Sequence, residues 1–117
     1  MFETNAVITN VSITNDDHGL LSAWLTLDYG GSGQGFGGYS LYLPKTFTHH
    51  KDSKGNYAGL FIWRCMEIGE VSEWSQLVGK SIRVRKEREF EQIKAIGHII
   101  KDDWFYPKEE FEELENV

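Results

Sequence analysis

Tyr57-Ala58-Gly59-Leu60-Phe61-Ile62-Trp63-Arg64-Cys65-Met66-Glu67-Ile68 is the stretch on which the fold turns. Tyr57, Phe61, Cys65 and Ile68 recur at helical spacing and make one continuous apolar stripe, with Arg64 and Glu67 on the opposite side. Asn56 is placed to cap this helix and Gly69 to follow it. Ser72 to Leu77 adds a short helical turn closed by Gly79. A helix with so apolar a face needs a sheet to cover it.

The rest of the chain alternates with the period of strands. Val7, Val11 and Ile13 mark one over Ala6–Ile13, followed by the turn cluster Asn15-Asp16-Asp17-His18-Gly19. From Leu20 to Asp28, Leu21, Ala23, Leu25 and Leu27 share one face; Ser22, Trp24, Thr26 and Asp28 share the other. Tyr39, Leu41 and Leu43 make a third strand that Pro44 stops, and 45–56 reads as a polar loop. In Lys80–Arg88, Ile82 and Val84 face one way, Arg83 and Arg85 the other. Glu91–Ile100 is a fifth strand, with Ile93, Ala95 and Ile99 opposite Lys94, Ile96, His98 and Ile100, apolar on both faces. The order β-β-β-α-β-β predicts an α+β domain over 1–100, a five-stranded antiparallel sheet with one main helix. A curled barrel of the oligonucleotide/oligosaccharide-binding type has the same order. The apolar helix and the single buried faces of most strands favour the open sheet.

Between the second and third predicted strands lies Gly30-Gly31-Ser32-Gly33-Gln34-Gly35-Phe36-Gly37-Gly38, with six of the chain's twelve glycines. Gly33, Gly35 and Gly38 satisfy G-x-G-x-x-G as a string, but a dinucleotide site needs a helix after it and a strand follows here. Glycines let another surface approach backbone amides closely. Gly31, Gly33, Gln34 and Gly35, framed by Tyr29, Phe36 and Tyr39, are therefore candidate contacts in a loop; the plainer reading is a wide hairpin connection.

Trp24 falls on a polar strand face, as an interface or stacking aromatic would. Arg83 and Arg85 could track a nucleic-acid backbone, or keep an edge strand soluble among Glu87, Glu89 and Glu91. His49, His50 and Asp52 lack a second ligand pair, so no metal is expected. Cys65 sits on the apolar stripe as a buried thiol. No nucleophile elbow and no His-Glu-x-x-His string is present, so nothing points to an enzyme, and no cofactor is expected.

The 117 residues carry a formal charge of −6, which argues against broad binding to nucleic acid or anionic membrane. No apolar run approaches the roughly 18–20 residues of a membrane span. The amino terminus lacks the order of a signal peptide, and one cysteine cannot form an intrachain disulfide, so a cytosolic setting is expected. The acidity sits in 101–117, where seven acidic residues face two lysines; 1–100 has ten basic and eleven acidic residues. In that segment Asp102 and Asp103 read as the start of a helix or turn. Trp104, Phe105 and Tyr106 are costly to leave in water, so its beginning is expected to dock. Phe111 and Leu114 offer the only apolar grip to a short helix over 108–115.

Leu27-Asp28-Tyr29-Gly30-Gly31-Ser32-Gly33-Gln34-Gly35-Phe36-Gly37-Gly38-Tyr39 and Ile96-Gly97-His98-Ile99-Ile100-Lys101-Asp102-Asp103-Trp104-Phe105 resemble segments of small proteins carried by bacteriophages and prophages. The resemblance extends over Asp17-His18-Gly19 and the region from Phe61 to Val71. It transfers no catalytic residue. It implies a viral protein in the host cytoplasm that binds host or phage macromolecules, inhibitors of host defence such as anti-CRISPR proteins included.

The leading expectation is a non-enzymatic phage accessory protein with a protein partner, contacted through Gly30–Gly38, Trp24 and 101–106 including Asp102, Asp103 and Trp104. A second is a single-stranded nucleic-acid binder using Trp24, Tyr42, Arg83 and Arg85. A third is a nucleotide or small-anion binder that uses the glycine-segment amides as a nest. The oligomeric state is open.

Overall fold

The computed structural model describes residues 1–17, 20–39, 41 and 57–115. The end of the first predicted turn (His18, Gly19), most of the strand assigned to 39–43 with Pro44, the 45–56 loop with its histidines, the Asn56 cap and residues 116–117 lie outside them.

The chain is α+β, with an open antiparallel sheet. The strands are β1 (Phe2–Asp17), β2 (Leu20–Tyr29), β3 (Ser32–Gly37), β4 (Ser81–Lys86), β5 (Ala95–Gly97) and β6 (Trp104–Phe105). They lie side by side in the order β3-β2-β1-β4-β5-β6. Helix α1 (Tyr57–Gly69) and a 3-10 turn (Trp74–Leu77) precede β4, and helix α2 (Pro107–Glu115) ends the described chain. Among the described residues the sheet has six strands rather than five, and it is not closed into a barrel.

The main correction is the glycine segment, which is itself the third strand. Gly30 and Gly31 take φ of 66° and 84°, the positive values of a two-residue hairpin turn, and Tyr29 pairs with Ser32 across it. The segment reads as a loop because glycine has little strand propensity of its own. Its alternation is nonetheless regular: Gln34 and Phe36 point inward opposite Leu27 and Leu25, while the glycines at 33 and 35 oppose Asp28 and Thr26 on the outer face.

β1 carries a second correction. Ala6 and Ile8 are buried, whereas Val7 and Ile13 are 40% and 44% exposed. The register with β2 shifts between Ile8 and Asn10. One extra residue there exchanges the two faces. Ile8, Val11 and Ile13 thus all oppose the inward side chains Leu27, Leu25 and Ala23. A simple alternation through Val7, Val11 and Ile13 misses that switch.

The fifth predicted strand shrinks to Ala95–Gly97 because the chain turns at His98. The His98 amide donates to the Asp103 carbonyl (3.0 Å), and its Nδ1 accepts from the amides of Ile100 (3.0 Å) and Lys101 (2.9 Å). The returning residues pair as β6, Ile96 with Phe105 and Gly97 with Trp104.

Phe61 of α1 joins the two ends of the sheet. It stacks on Phe36 of β3 at 5.8 Å and meets Phe105 of β6 edge-on at 5.6 Å, while Phe36 and Phe105 are themselves 6.3 Å apart. The sheet therefore curls until its outermost strands share one aromatic cluster, with no ladder between them. Each of the three rings is at most 1% exposed. Phe61→Ala is expected to cost about 3–5 kcal/mol, the range for a buried Phe truncation. Urea unfolding checks this; a loss below about 1 kcal/mol would deny the ring its joining role.

Candidate binding surface

The outer face of β2 and β3 is built around Trp24. Its indole lies flat across the glycines of the neighbouring strand: a Cβ on Gly38 would come within 2.2 Å of the ring, and one on Gly35 within 3.0 Å. Trp24 stays 40% exposed, as expected for an aromatic covering a glycine strand at a sheet edge. Among the described residues nothing pairs with the other side of β3. In a two-residue hairpin the pair flanking the turn exchanges its backbone hydrogen bonds, and the pattern alternates from there. The bond from the Gly38 amide to the Ala23 carbonyl (3.0 Å) fits that phase. The N–H and C=O groups of Ser32, Gln34 and Phe36 are thus turned toward β2, and those of Gly33 and Gly35 away from it. This alternation leaves no run of successive free amides of the kind that cradles a phosphate.

The opposite end of the same face is built around Trp104. Its ring covers Gly97, where a Cβ would come within 2.5 Å of it. The Arg85 guanidinium sits 3.5 Å from the ring centroid and that of Arg83 4.8 Å. Arg85 also donates to Glu3 (3.0 Å) and to Tyr106 Oη (3.0 Å). Arg83 donates to the carbonyls of His98 and Lys101, both at 2.7 Å, and to Glu3 at 3.4 Å. Both guanidiniums are therefore held by groups of the chain itself.

Arg64, placed by the sequence on the free side of its helix, is instead mostly buried. It donates to Glu67 (2.9 Å), Glu110 (3.1 Å), Asp103 (3.1 Å) and the Trp104 carbonyl (2.8 Å), tying α1 to β6 and α2. Burial alone would lower its pKa, but hydrogen bonds to Glu67 and Asp103 and the charges of Glu110 and Asp103 hold it above its ordinary value. Burial likewise pushes the Cys65 thiol well up, which suits packing and not nucleophilic attack.

The end of α1 departs from expectation by one residue. Glu70, not Gly69, takes the left-handed φ of 53°. The Glu70 amide donates to the Glu67 carbonyl and that of Val71 to the Met66 carbonyl (both 3.1 Å), the paired bonds of a Schellman end. Gly69 is required just before it, since a Cβ there would lie 2.4 Å from Leu77 Cδ2. The Glu70 carboxylate binds the buried His98 ring at Nε2 and Lys101 Nζ at 3.3 Å. Because His98 Nδ1 accepts two amides, its Nε2 carries the proton and donates to Glu70.

The residues singled out from sequence do not form one surface. Trp24, Gly33 and Gly35 share the outer face near the β3 edge, and Gly31 lies in the adjoining turn. Arg83, Arg85 and Trp104 are on the same face, but with Trp104 three strands from Trp24, separated by β1, β4 and β5. Asp103 belongs to the Arg64 clasp and Asp102 is exposed. Phe36 is core. Tyr39 is half-buried against Phe111 at 5.7 Å, and burial, then Glu109, raises its pKa. Gln34 faces inward: its Oε1 accepts from the Ile93 amide (2.7 Å) and its Nε2 donates to the Glu91 carbonyl (3.3 Å). Tyr29 accepts a hydrogen bond from Lys86. Lys86, the important inward residue that sequence reasoning missed, is only 2% exposed. The signal was present: the alternation that turns Ile82 and Val84 inward continues to Lys86.

Among the described residues no helix is long and apolar enough to cross a membrane, and no three acidic, histidine or cysteine side chains gather as a metal site. No known family matches the chain, and no curated protein and no solved structure shows significant similarity to it.

The Glu70 contacts carry a pH consequence. Hydrogen bonds to His98 and Lys101 lower the Glu70 pKa. A carboxylate held below its unfolded value stabilises above that value and loses the contribution as pH falls through the folded one. The window thus starts near the ordinary glutamate value of about 4.3 and runs downward. Glu70→Gln is expected to make stability fall less steeply there, measured by urea midpoints across pH. An unchanged slope would count against the contact.

Proposed function

We propose that this chain is a non-enzymatic accessory protein that binds a protein partner by taking up one of its strands at the edge of β3. The observation that carries the reading is the pair Gly33 and Gly35, whose backbone groups turn away from β2 and meet no further strand among the described residues. Exposed strand edges are templates for another chain, and soluble proteins usually blunt them with charge or proline. β3 has neither, and Trp24 beside it supplies the large, partly exposed aromatic that anchors interfaces. The resemblance to phage-carried proteins supports a partner in the infected cell, and interference with a host defence complex falls within this reading.

The nucleic-acid reading has less support. The donors of Arg83 and Arg85 are directed at Glu3, Tyr106 and backbone carbonyls, so using them on phosphates would break an existing network.

Affinity capture from bacterial lysate tests the proposal, with wild type beside Gly33→Pro. Proline removes one outward N–H at an edge, where strands tolerate it. A partner held by wild type and weakened at least about tenfold by the variant, at an unchanged melting temperature, is the expected result. A partner retained equally by both proteins, or none above background, contradicts the proposal.

A further inference from the structure

Among the described residues Lys86 is the one lysine or arginine buried to within 2% of complete coverage. Its ammonium donates to Tyr29 Oη and to the Glu89 carbonyl, each at 2.8 Å, and lies 4.5 Å from the Tyr29 ring centroid and 5.5 Å from that of Phe2. All these partners are neutral. Arg64, Arg83, Arg85, Lys94 and Lys101 each have a carboxylate within salt-bridge distance; among the described residues Lys86 has none. An ammonium has three donors, and burying one without a counter-charge is costly.

The surroundings supply room for the missing anion. Lys86 lines an open concavity of about 370 Å³ on the inner side of the curled sheet, at the β2–β3 turn. Such a volume at the mouth of a curled sheet suits a small ligand. Phe2, Tyr29 and Phe90 supply aromatic walls, and Phe90 is 94% exposed at the rim. The Ser32 hydroxyl has no hydrogen-bond partner among the described residues and is free to donate. Gln34 forms a fixed wall, because both ends of its amide are held by Ile93 and Glu91. Glu89 also lines the site and sets a limit on charge: beside one ammonium and one carboxylate, a monoanion is favoured over a phosphate dianion.

We propose that this concavity binds a small aromatic monocarboxylate, its carboxylate completing the shell of Lys86 and its ring packing against Phe2, Tyr29 and Phe90. The site is separate from the β3 edge, since it lies on the inner face of the sheet and uses side chains rather than the free strand backbone.

Amide NMR titrations of the full chain with sodium benzoate, sodium acetate and sodium phosphate, at constant ionic strength, test the proposal. Saturable shifts at Tyr29, Ser32 and Lys86 with benzoate are expected, half-complete at a lower concentration than with either other anion. Phe90→Asp changes only an exposed rim residue and is expected to weaken benzoate roughly tenfold by placing a like charge at the mouth. Lys86→Met should abolish saturation; if that variant does not fold, Phe90→Asp decides. Absence of saturation at tens of millimolar benzoate, stronger binding of phosphate, or an affinity indifferent to Phe90→Asp would overturn the proposal.

Discussion

Phe61 lies between Phe36 and Phe105, and these two rings come from the first and last strands of the sheet. A six-stranded sheet of this kind has two unpaired edges and one face to bury. Here the burial is done by curling both outer strands onto a single helix side chain. The helix positions that follow Phe61 at helical spacing, Cys65 and Ile68, extend the contact to the 3-10 turn, where Leu77 is fully buried against Gly69. The Arg64 network then fixes the carboxy-terminal segment on the same helix. Aromatic contacts close the core while backbone hydrogen bonding leaves the sheet open, and that division leaves the β3 edge free of a ladder among the described residues.

The outer face repeats one device at its two ends. Trp24 covers glycines of β3 and Trp104 covers Gly97 of β5. In each case a flat indole replaces the side chains that the glycines lack, which shields a weak strand without filling its face with separate apolar residues. The two ends differ in charge. Arg83 and Arg85 crowd Trp104 and are held by the chain's own acceptors, whereas Trp24 has no cation over it among the described contacts. At the Trp104 end the guanidiniums are thus held internally, and the Trp24 end keeps both an exposed ring and, among the described residues, an unpaired strand edge.

Much of this order can be read from the residues. The α1 stripe of Phe61, Cys65 and Ile68, the inward leucines of β2 and the inward Ile82 and Val84 of β4 all follow from local periodicity, and they are found where periodicity puts them. The misreadings have a common cause in contacts distant along the chain. The glycine segment is a strand because Trp24 lies over it, and nothing local to Gly33 or Gly35 says so. The two-residue β6 exists because His98 turns the chain back. Arg64 leaves solvent because Asp103 and Glu110, some forty residues on, arrive beside it. The bulge after Ile8 reverses a parity that alternation alone cannot detect. Lys86 was within reach of alternation, but a lysine read as charge is assigned to water by default.

Amide hydrogen exchange along β3 tests most directly the claim that the sheet curls shut through side chains while its edge stays open. Exchange reports which backbone N–H groups are bonded within the fold. An open edge requires alternation along one short strand: the Gln34 and Phe36 amides, turned toward β2, exchange slowly, and those of Gly33 and Gly35 exchange at rates near those of open turns. Gly33 and Gly35 amides as slow as those of Gln34 and Phe36 would mean that something already pairs with this edge, and the open-edge account would be wrong.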